Sequence, residues 1–242
     1  MASDPEAPPR RLRRAEAVLA RRLANLALIV EDLHDSHNID AVIRSAEAFG
    51  VQRLLRIETN ASAPISRKVT QGAHRWLTVS RFDDPAAALA AARADGFEVW
   101  AADVAPGSRP LDELPLPPRL AVAVGSELEG LSEELRTAAD RRFYLPMSGF
   151  TGSLNVSVSA AISIWELSRR FRERDGEGGG LTPRDRAELR ARWYRSLGKT
   201  PAQRARFEPW IERPPEPLVE GGPPPERRTL EGSRSPDGGD ED

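Results

Sequence analysis

The chain has 242 residues, with 35 basic against 37 acidic side chains, three histidines and no cysteine. The missing cysteine excludes disulfide scaffolds, thiolate zinc sites, Fe–S clusters and cysteine nucleophiles. No apolar run approaches the roughly 20 residues of a membrane span, and the N-terminus lacks the apolar stretch of about 7–15 residues of a secretory signal, so a cytoplasmic location is expected. The formal net charge of −2 is unevenly distributed: residues 1–22 hold six Arg against three acids, and residues 169–206 hold 12 basic against five acidic groups. Basic flanks around an acidic middle fit a polyanion met by the ends of the domain; a pair of solvated Arg-rich helices gives the same count.

In chain order, the pattern predicts a helix over Pro9–Leu23, a strand over Leu26–Val30, a helix over Asn38–Phe49, and strands over Leu54–Ile57 and Leu77–Val79. A helix over Pro85–Asp95 and strands over Phe97–Ala101 and Leu120–Val124 follow. The remainder reads as a helix Ser132–Ala139, a strand Arg142–Leu145, and helices Leu154–Arg174 and Pro183–Leu197. Strands separated by helical stretches imply an α/β fold, a parallel sheet with helices on both faces. Residues 207–242 hold eight of the 21 prolines and an acidic end. They read as a disordered tail, with Phe207, Trp210 and Ile211 free to dock where it begins. The expected division is a basic N-terminal helix (1–23), a central domain (24–175), a basic C-terminal helix (181–206) and the tail (207–242).

Three segments carry chemistry. In LIVEDLHDSHNIDAVIRSAEAFGV, residues Ile39, Val42, Ile43, Ala46 and Phe49 form one helical face and Gly50 closes the helix. Arg44 projects away from that face, and Asn38 reads as a helix cap or a site residue. In LAVAVGSELEGLSEEL, a buried strand runs into Gly125, where backbone approaches something closely. No P-loop or dinucleotide fingerprint follows it. In RRFYLPMSGFTGSLNVSVSAAISIWELSRR, Pro146 ends a strand and Ser153 leads a helix rich in Ser and Ala, whose buried polar groups need partners. His34 and His37 precede the first of these helices, with His37 read as supporting local structure, and no metal site is expected.

The ordered trio HNIDAVIRSAEAFGV (37–51), VGSELEGLS (124–132) and LPMSGFTGSLNVSVSAA (145–161) resembles the three motifs of the SpoU family. These are RNA ribose 2′-O-methyltransferases of the SPOUT class. The likeness covers about residues 12–200, and within the family it is similar to the branch that modifies guanosine 18 in the D-loop of tRNA. The loop departs from that branch at Gly152, where a glutamine is expected. The resemblance implies a C-terminal trefoil knot, a feature otherwise nearly absent from proteins, and S-adenosylmethionine as methyl donor. It places Ala102, Gly125, Leu145, Met147 and Leu154 around the donor, with Glu127 facing ligand or RNA or standing behind it. It makes Arg44 the catalytic arginine, either accepting the ribose proton or stabilising the alkoxide, supported by Asn38, Ser153 and Asn155. Two chains are expected to associate through the knotted helices, with Leu154–Trp165 supplying apolar surface. Arg10, Arg11, Arg13, Arg14, Arg169, Arg170, Arg172 and Arg174 are the expected phosphate contacts. The partner is tRNA, with ribosomal RNA as the alternative substrate and a non-catalytic RNA-binding knotted protein as the alternative class.

Overall fold

The computed structural model describes residues 7–59, 72–126, 129–177 and 179–219. Its strands are β1 (Leu23–Glu31), β2 (Val51–Ile57), β3 (Thr78–Phe82), β4 (Glu98–Ala102), β5 (Arg109–Pro110), β6 (Leu120–Val124) and β7 (Arg141–Tyr144). Its helices are α1 (Arg10–Leu19), α2 (Ser36–Ala48), α3 (Pro85–Ala94), α4 (Glu133–Ala138), α5 (Val156–Asp175), α6 (Pro183–Leu197), α7 (Pro201–Phe207) and α8 (Pro209–Glu212). The strands form one sheet in the order β3-β2-β1-β6-β4-β7-β5, and all six neighbouring pairs are parallel. After β3 the chain crosses to β4, and β6 then fills the slot between β1 and β4. The expected α/β parallel sheet is thus present.

A parallel sheet covered on both faces needs strands that are apolar on both sides. Every residue of β1 is buried. Leu26, Leu28 and Val30 face one way, into a core with Ile39, Val42 and Ile43 of α2 and Ala160, Ile164 and Leu167 of α5. The alternate residues Ala27 and Ile29 face Ala88 and Leu89 of α3 and Leu135 of α4. This two-residue alternation places one helical layer on each side. A third cluster joins Leu12 and Leu19 of α1 to Leu189, Trp193 and Tyr194 of α6 and to Phe207 of α7. The two ends of the chain therefore pack on each other.

Several boundaries differ from the sequence reading. The N-terminal helix expected over Pro9–Leu23 ends at Leu19, and Leu23 already opens β1. Helix α2 starts at Ser36, because Asp35 caps it by accepting the His37 N–H at 2.8 Å; Asn38 is one turn in and is not the cap. Helix α5 starts after Asn155, which accepts the Ser157 N–H at 2.8 Å, so Ser153 lies in the loop before it. Residues 207–219 do not form part of the expected structureless tail. Helices α7 and α8 cover Pro201–Glu212, Phe207 is buried, and the Leu218 N–H donates to the Arg13 carbonyl at 2.9 Å. Residues 220–242 lie outside the described residues.

One buried guanidinium ties the N-terminal helix to the sheet and α2. Arg22, with its side chain 0% exposed, donates to Glu47 Oε1 at 2.8 Å and to the carbonyls of Glu47 and Val51. It also stacks 5.1 Å from the Trp193 ring centroid. Burial pulls its pKa below the usual arginine value, against the opposing pull of Glu47. Arg22→Met strips three acceptors of their donor at once. Glu47 is 28% exposed and rehydrates, so the expected loss is about 3 kcal/mol, the low end for breaking a buried pair. Urea unfolding should show it as a lower midpoint at unchanged slope.

Candidate active site

The carboxyl ends of the three adjacent strands β6, β4 and β7 open onto one cavity of about 520 Å3. This is where open α/β sheets hold ligands. Ala102 closes β4, Val124 and Gly125 end β6, and Phe143–Leu145 end β7; Met147, Ser153, Leu154 and Asn155 come from the loop into α5. All five residues expected around a donor, Ala102, Gly125, Leu145, Met147 and Leu154, therefore line the same cavity, together with Ser153 and Asn155. Ala102 belongs to the strand itself, not to the loop after it.

The wall beyond β6 is folded by close backbone contact. Ser126 and Gly130 exchange both main-chain hydrogen bonds, at 2.9 and 3.0 Å, and the Glu129 N–H donates to Ser126 Oγ. Gly130 sits at φ +71°, which brings its carbonyl back over Gly125. A Cβ on Gly125 would lie 2.1 Å from that carbonyl oxygen. The loop is also anchored from behind, where the buried Glu31 at the end of β1 accepts the Ser132 N–H at 2.7 Å. Glu127 lies outside the described residues.

On the opposite wall, Asn155 connects the cavity to α2. Its Oδ1 accepts from the Ser157 N–H and hydroxyl, and its Nδ2 donates to Asn38 Oδ1 at 3.1 Å. Asn38 and Asn155, 117 positions apart, thus meet beside the cavity. Arg44 does not join them. It lies on an exposed side of α2, six residues or about 9 Å along the axis from Asn38, and lines a separate depression with Ala41, Ser45 and Trp76.

Further residues complete the lining, of which Asp103 and Glu129 are not singled out by the sequence and the α5 serines are expected there only as polar groups in need of partners. Asp103 and Glu129 supply carboxylates, and Ser126, Ser159 and Ser163 supply hydroxyls. Asp103 Oδ2 is buried without a hydrogen-bond partner, its nearest cation being Arg142 at 3.7 Å. Asp103 directly follows an apolar strand, and Ser159 and Ser163 are four apart on α5, so their spacing is the signal that points to them. Among the described residues no group of three or more His, Asp or Glu is placed to hold a metal ion, and no helix is long and apolar enough to cross a membrane.

The basic side chains divide into two sets. The four α5 arginines expected on phosphates are committed within the chain. Arg169 forks onto Glu166 and reaches Glu173, and Arg172 donates to the carbonyls of Phe49 and Arg21. Arg170 donates to the carbonyls of Leu111 and Leu114, and Arg174 to those of Leu116 and Pro117. The segment LDELPLPP is proline-rich, so its carbonyls have few backbone donors and the guanidinium groups satisfy them. By contrast, none of Arg10, Arg11, Arg13 and Arg14 is ion-paired among the described residues, although Arg11 donates to the Leu197 carbonyl and Arg13 to the Glu216 carbonyl. Arg10 and Arg14 are exposed.

The SpoU rRNA methylase family model matches residues 25–165 of this chain. A tRNA (guanosine(18)-2′-O)-methyltransferase of Borreliella burgdorferi is 32% identical over 186 residues, covering 77% of this chain and 85% of the relative. The crystal structure of the Aquifex aeolicus TrmH/SpoU tRNA-modifying enzyme superposes with a TM-score of 0.69 at 30% identity, covering 76% of this chain and 94% of that one. The SpoU methyltransferase AviRb from Streptomyces viridochromogenes, solved in complex with AdoMet, matches with a TM-score of 0.55 at 26% identity, over 62% of this chain and 61% of that one. Sheet, cavity and motifs define a methylase of the α/β class. The chain belongs to the SpoU methylase family.

The Gly125 contact gives a direct test of the cavity wall. Gly125→Ala drives a methyl group into main chain that cannot yield. The Ser126–Gly130 pairing should open, read as lost hydrogen-exchange protection at both amides, with a stability loss of about 2–4 kcal/mol.

Proposed function

We propose that the chain is an S-adenosylmethionine-dependent RNA ribose 2′-O-methyltransferase acting on tRNA, at the D-loop guanosine 18. The observation that carries this reading is the shared cavity: residues of the second and third motifs, far apart in sequence, line one space at the carboxyl ends of β4, β6 and β7. The cavity fits the donor in size, since small-molecule pockets run about 300–1,000 Å3. It also fits in charge, because the donor is cationic at sulfur and at its amino group. Asp103 and Glu129 place carboxylates on the cavity lining, Asp103 ion-paired with Arg142 at 3.7 Å. Backbone groups of the Ser126–Gly130 turn and the Leu145–Asn155 loop read the remaining polar edges. The donor, when bound, supplies an activated methyl group, so no metal is needed for the transfer.

The work left to the chain is to align a ribose hydroxyl and manage its proton. Alignment alone is worth up to about 7–11 kcal/mol. Asn38, Ser153 and Asn155 position the sugar at the cavity mouth. Arg44 holds the oxygen as its proton leaves, either accepting that proton or stabilising the alkoxide; a normal arginine is no base. Because Arg44 lies outside the cavity of a single chain, the reading includes a homodimer. Val158, Ile162 and Trp165 form an exposed apolar stripe on α5, the helix that packs against α2. Two stripes facing each other would enclose the Arg44 side of α2. The knot belongs to the same reading, supported by the insertion of β6 between β1 and β4 and by the return of α5 across the sheet onto α2.

The tRNA branch is favoured by length: the chain spans 85% of the Borreliella relative and 61% of AviRb. RNA contacts come from α1 in this reading, with α5 contributing structure.

The deciding experiment is labelled methyl transfer to unmodified bulk tRNA and to ribosomal RNA, with mapping of the hydrolysis-resistant ribose. Label in tRNA at guanosine 18 is expected; label confined to ribosomal RNA would overturn the substrate. Arg44→Ala should lower turnover by at least about a thousandfold while calorimetry still shows donor uptake. An active Arg44→Ala enzyme would remove that residue from the chemistry, and absence of donor uptake by the intact protein would remove the reaction.

A further inference from the structure

The C-terminal extension does not leave the domain at the end of α6. It turns back through α7 and α8 and runs along α1, where the Leu218 N–H donates to the Arg13 carbonyl at 2.9 Å and Arg13 Nε donates to the Glu216 carbonyl at 3.2 Å. The last described residue, Val219, is therefore delivered beside the arginine-rich helix. Beyond it stand 23 residues with seven carboxylates against three arginines, four of the carboxylates within the final six residues.

We propose that residues 220–242 occupy the arginine face of α1 in competition with RNA phosphates, making the tail an intrachain electrostatic brake on substrate binding. The inference rests on the RNA-binding reading above and adds a regulator to it. Three observations support it. Half of the receptor is open: the exposed Arg10 and Arg14 have no carboxylate or carbonyl partner among the described residues, while Arg11 and Arg13 donate to main-chain carbonyls only; all four of the α5 arginines have a carboxylate partner. The reach is sufficient: 23 residues can span up to about 75–80 Å, against a 10-residue helix of about 15 Å. The charges are complementary and the entry point is fixed by hydrogen bonds, so the tail meets α1 at an effective concentration in the millimolar range. A segment that binds with a dissociation constant of about 0.1 mM would then weaken RNA binding about tenfold.

The test compares the full chain with a full-length variant in which Glu220, Glu226, Glu231, Asp237, Asp240, Glu241 and Asp242 become Gln or Asn. Filter binding of bulk tRNA should show the neutral-tail variant about tenfold tighter near 50 mM salt, the difference closing near 300 mM as phosphate contacts are screened. Donor affinity should be the same in both. Equal tRNA affinity at low salt would overturn the proposal. A second arm needs no RNA: a fluorescent peptide of residues 220–242 is titrated onto the neutral-tail variant. Salt-sensitive binding that is lost in Arg10→Ser/Arg14→Ser supports the brake. Absence of peptide binding overturns it even where tRNA binds normally. Peptide binding without any tRNA binding overturns the RNA reading instead.

Discussion

The Asn155 side chain is the interaction on which the site depends. Only its carbonyl oxygen can accept the Ser157 N–H that starts α5, and that requirement turns the amide nitrogen toward Asn38. One planar group thus fixes the start of a 20-residue helix, one wall of the cavity and the position of the first turn of α2. A serine or aspartate would cap the helix equally well. Aspartate has no donor for Asn38, and serine has a single oxygen for both roles, where the amide carries acceptor and donor on two separate atoms. The cap requirement alone does not explain an asparagine here; the cap together with the link to α2 does.

The arginines show how one residue type is divided between scaffold and surface. Those of α5 are held by carboxylates and by the carbonyls of a proline-rich segment that has little hydrogen bonding of its own. Arg22 and Arg190 anchor the terminal helices, the latter through Glu16, which also accepts the Tyr194 hydroxyl. Burial and Glu16 together push that phenol well above its usual range, so it stays a donor at any working pH. With these groups committed, Arg10 and Arg14 of α1 stand exposed without a carboxylate or carbonyl partner among the described residues. A count of charges along the chain cannot reveal this, because it records the cations and not their partners.

Much of the fold is legible in the sequence where burial and capping agree. Leu120–Val124 and Pro183–Leu197 end in the structure where pattern, proline and glycine place them. Strand β1 begins three residues before its apolar run, since Asn25 enters the sheet with its side chain tied to Asp175, a partner 150 residues away. Strand β5 is two residues long and contains a proline, so no periodicity announces it. Helices α7 and α8 are hidden by composition, yet each opens on a proline at its first turn, and Thr200 caps α7. The cavity lining is legible only through the motif resemblance, because its residues are small or apolar and come from three strand ends. The α5 serines are announced as polar groups in need of partners, but Asp103 is not singled out, since its role depends on which loops lie opposite.

The separation of Arg44 from the cavity changes how the chemistry must be understood. Within one chain the motif residues that line the cavity and the arginine that would activate the ribose face different depressions. A single copy that bound donor would lack the group needed to move the proton. The exposed stripe of Val158, Ile162 and Trp165 is costly to leave in water, with about 25 cal/mol for each Å2 of apolar surface favouring its burial. The force that would pair two chains and the geometry that would complete the site therefore act on the same pair of helices, α2 and α5. In this reading dimerisation is a condition of catalysis and not an accessory to it.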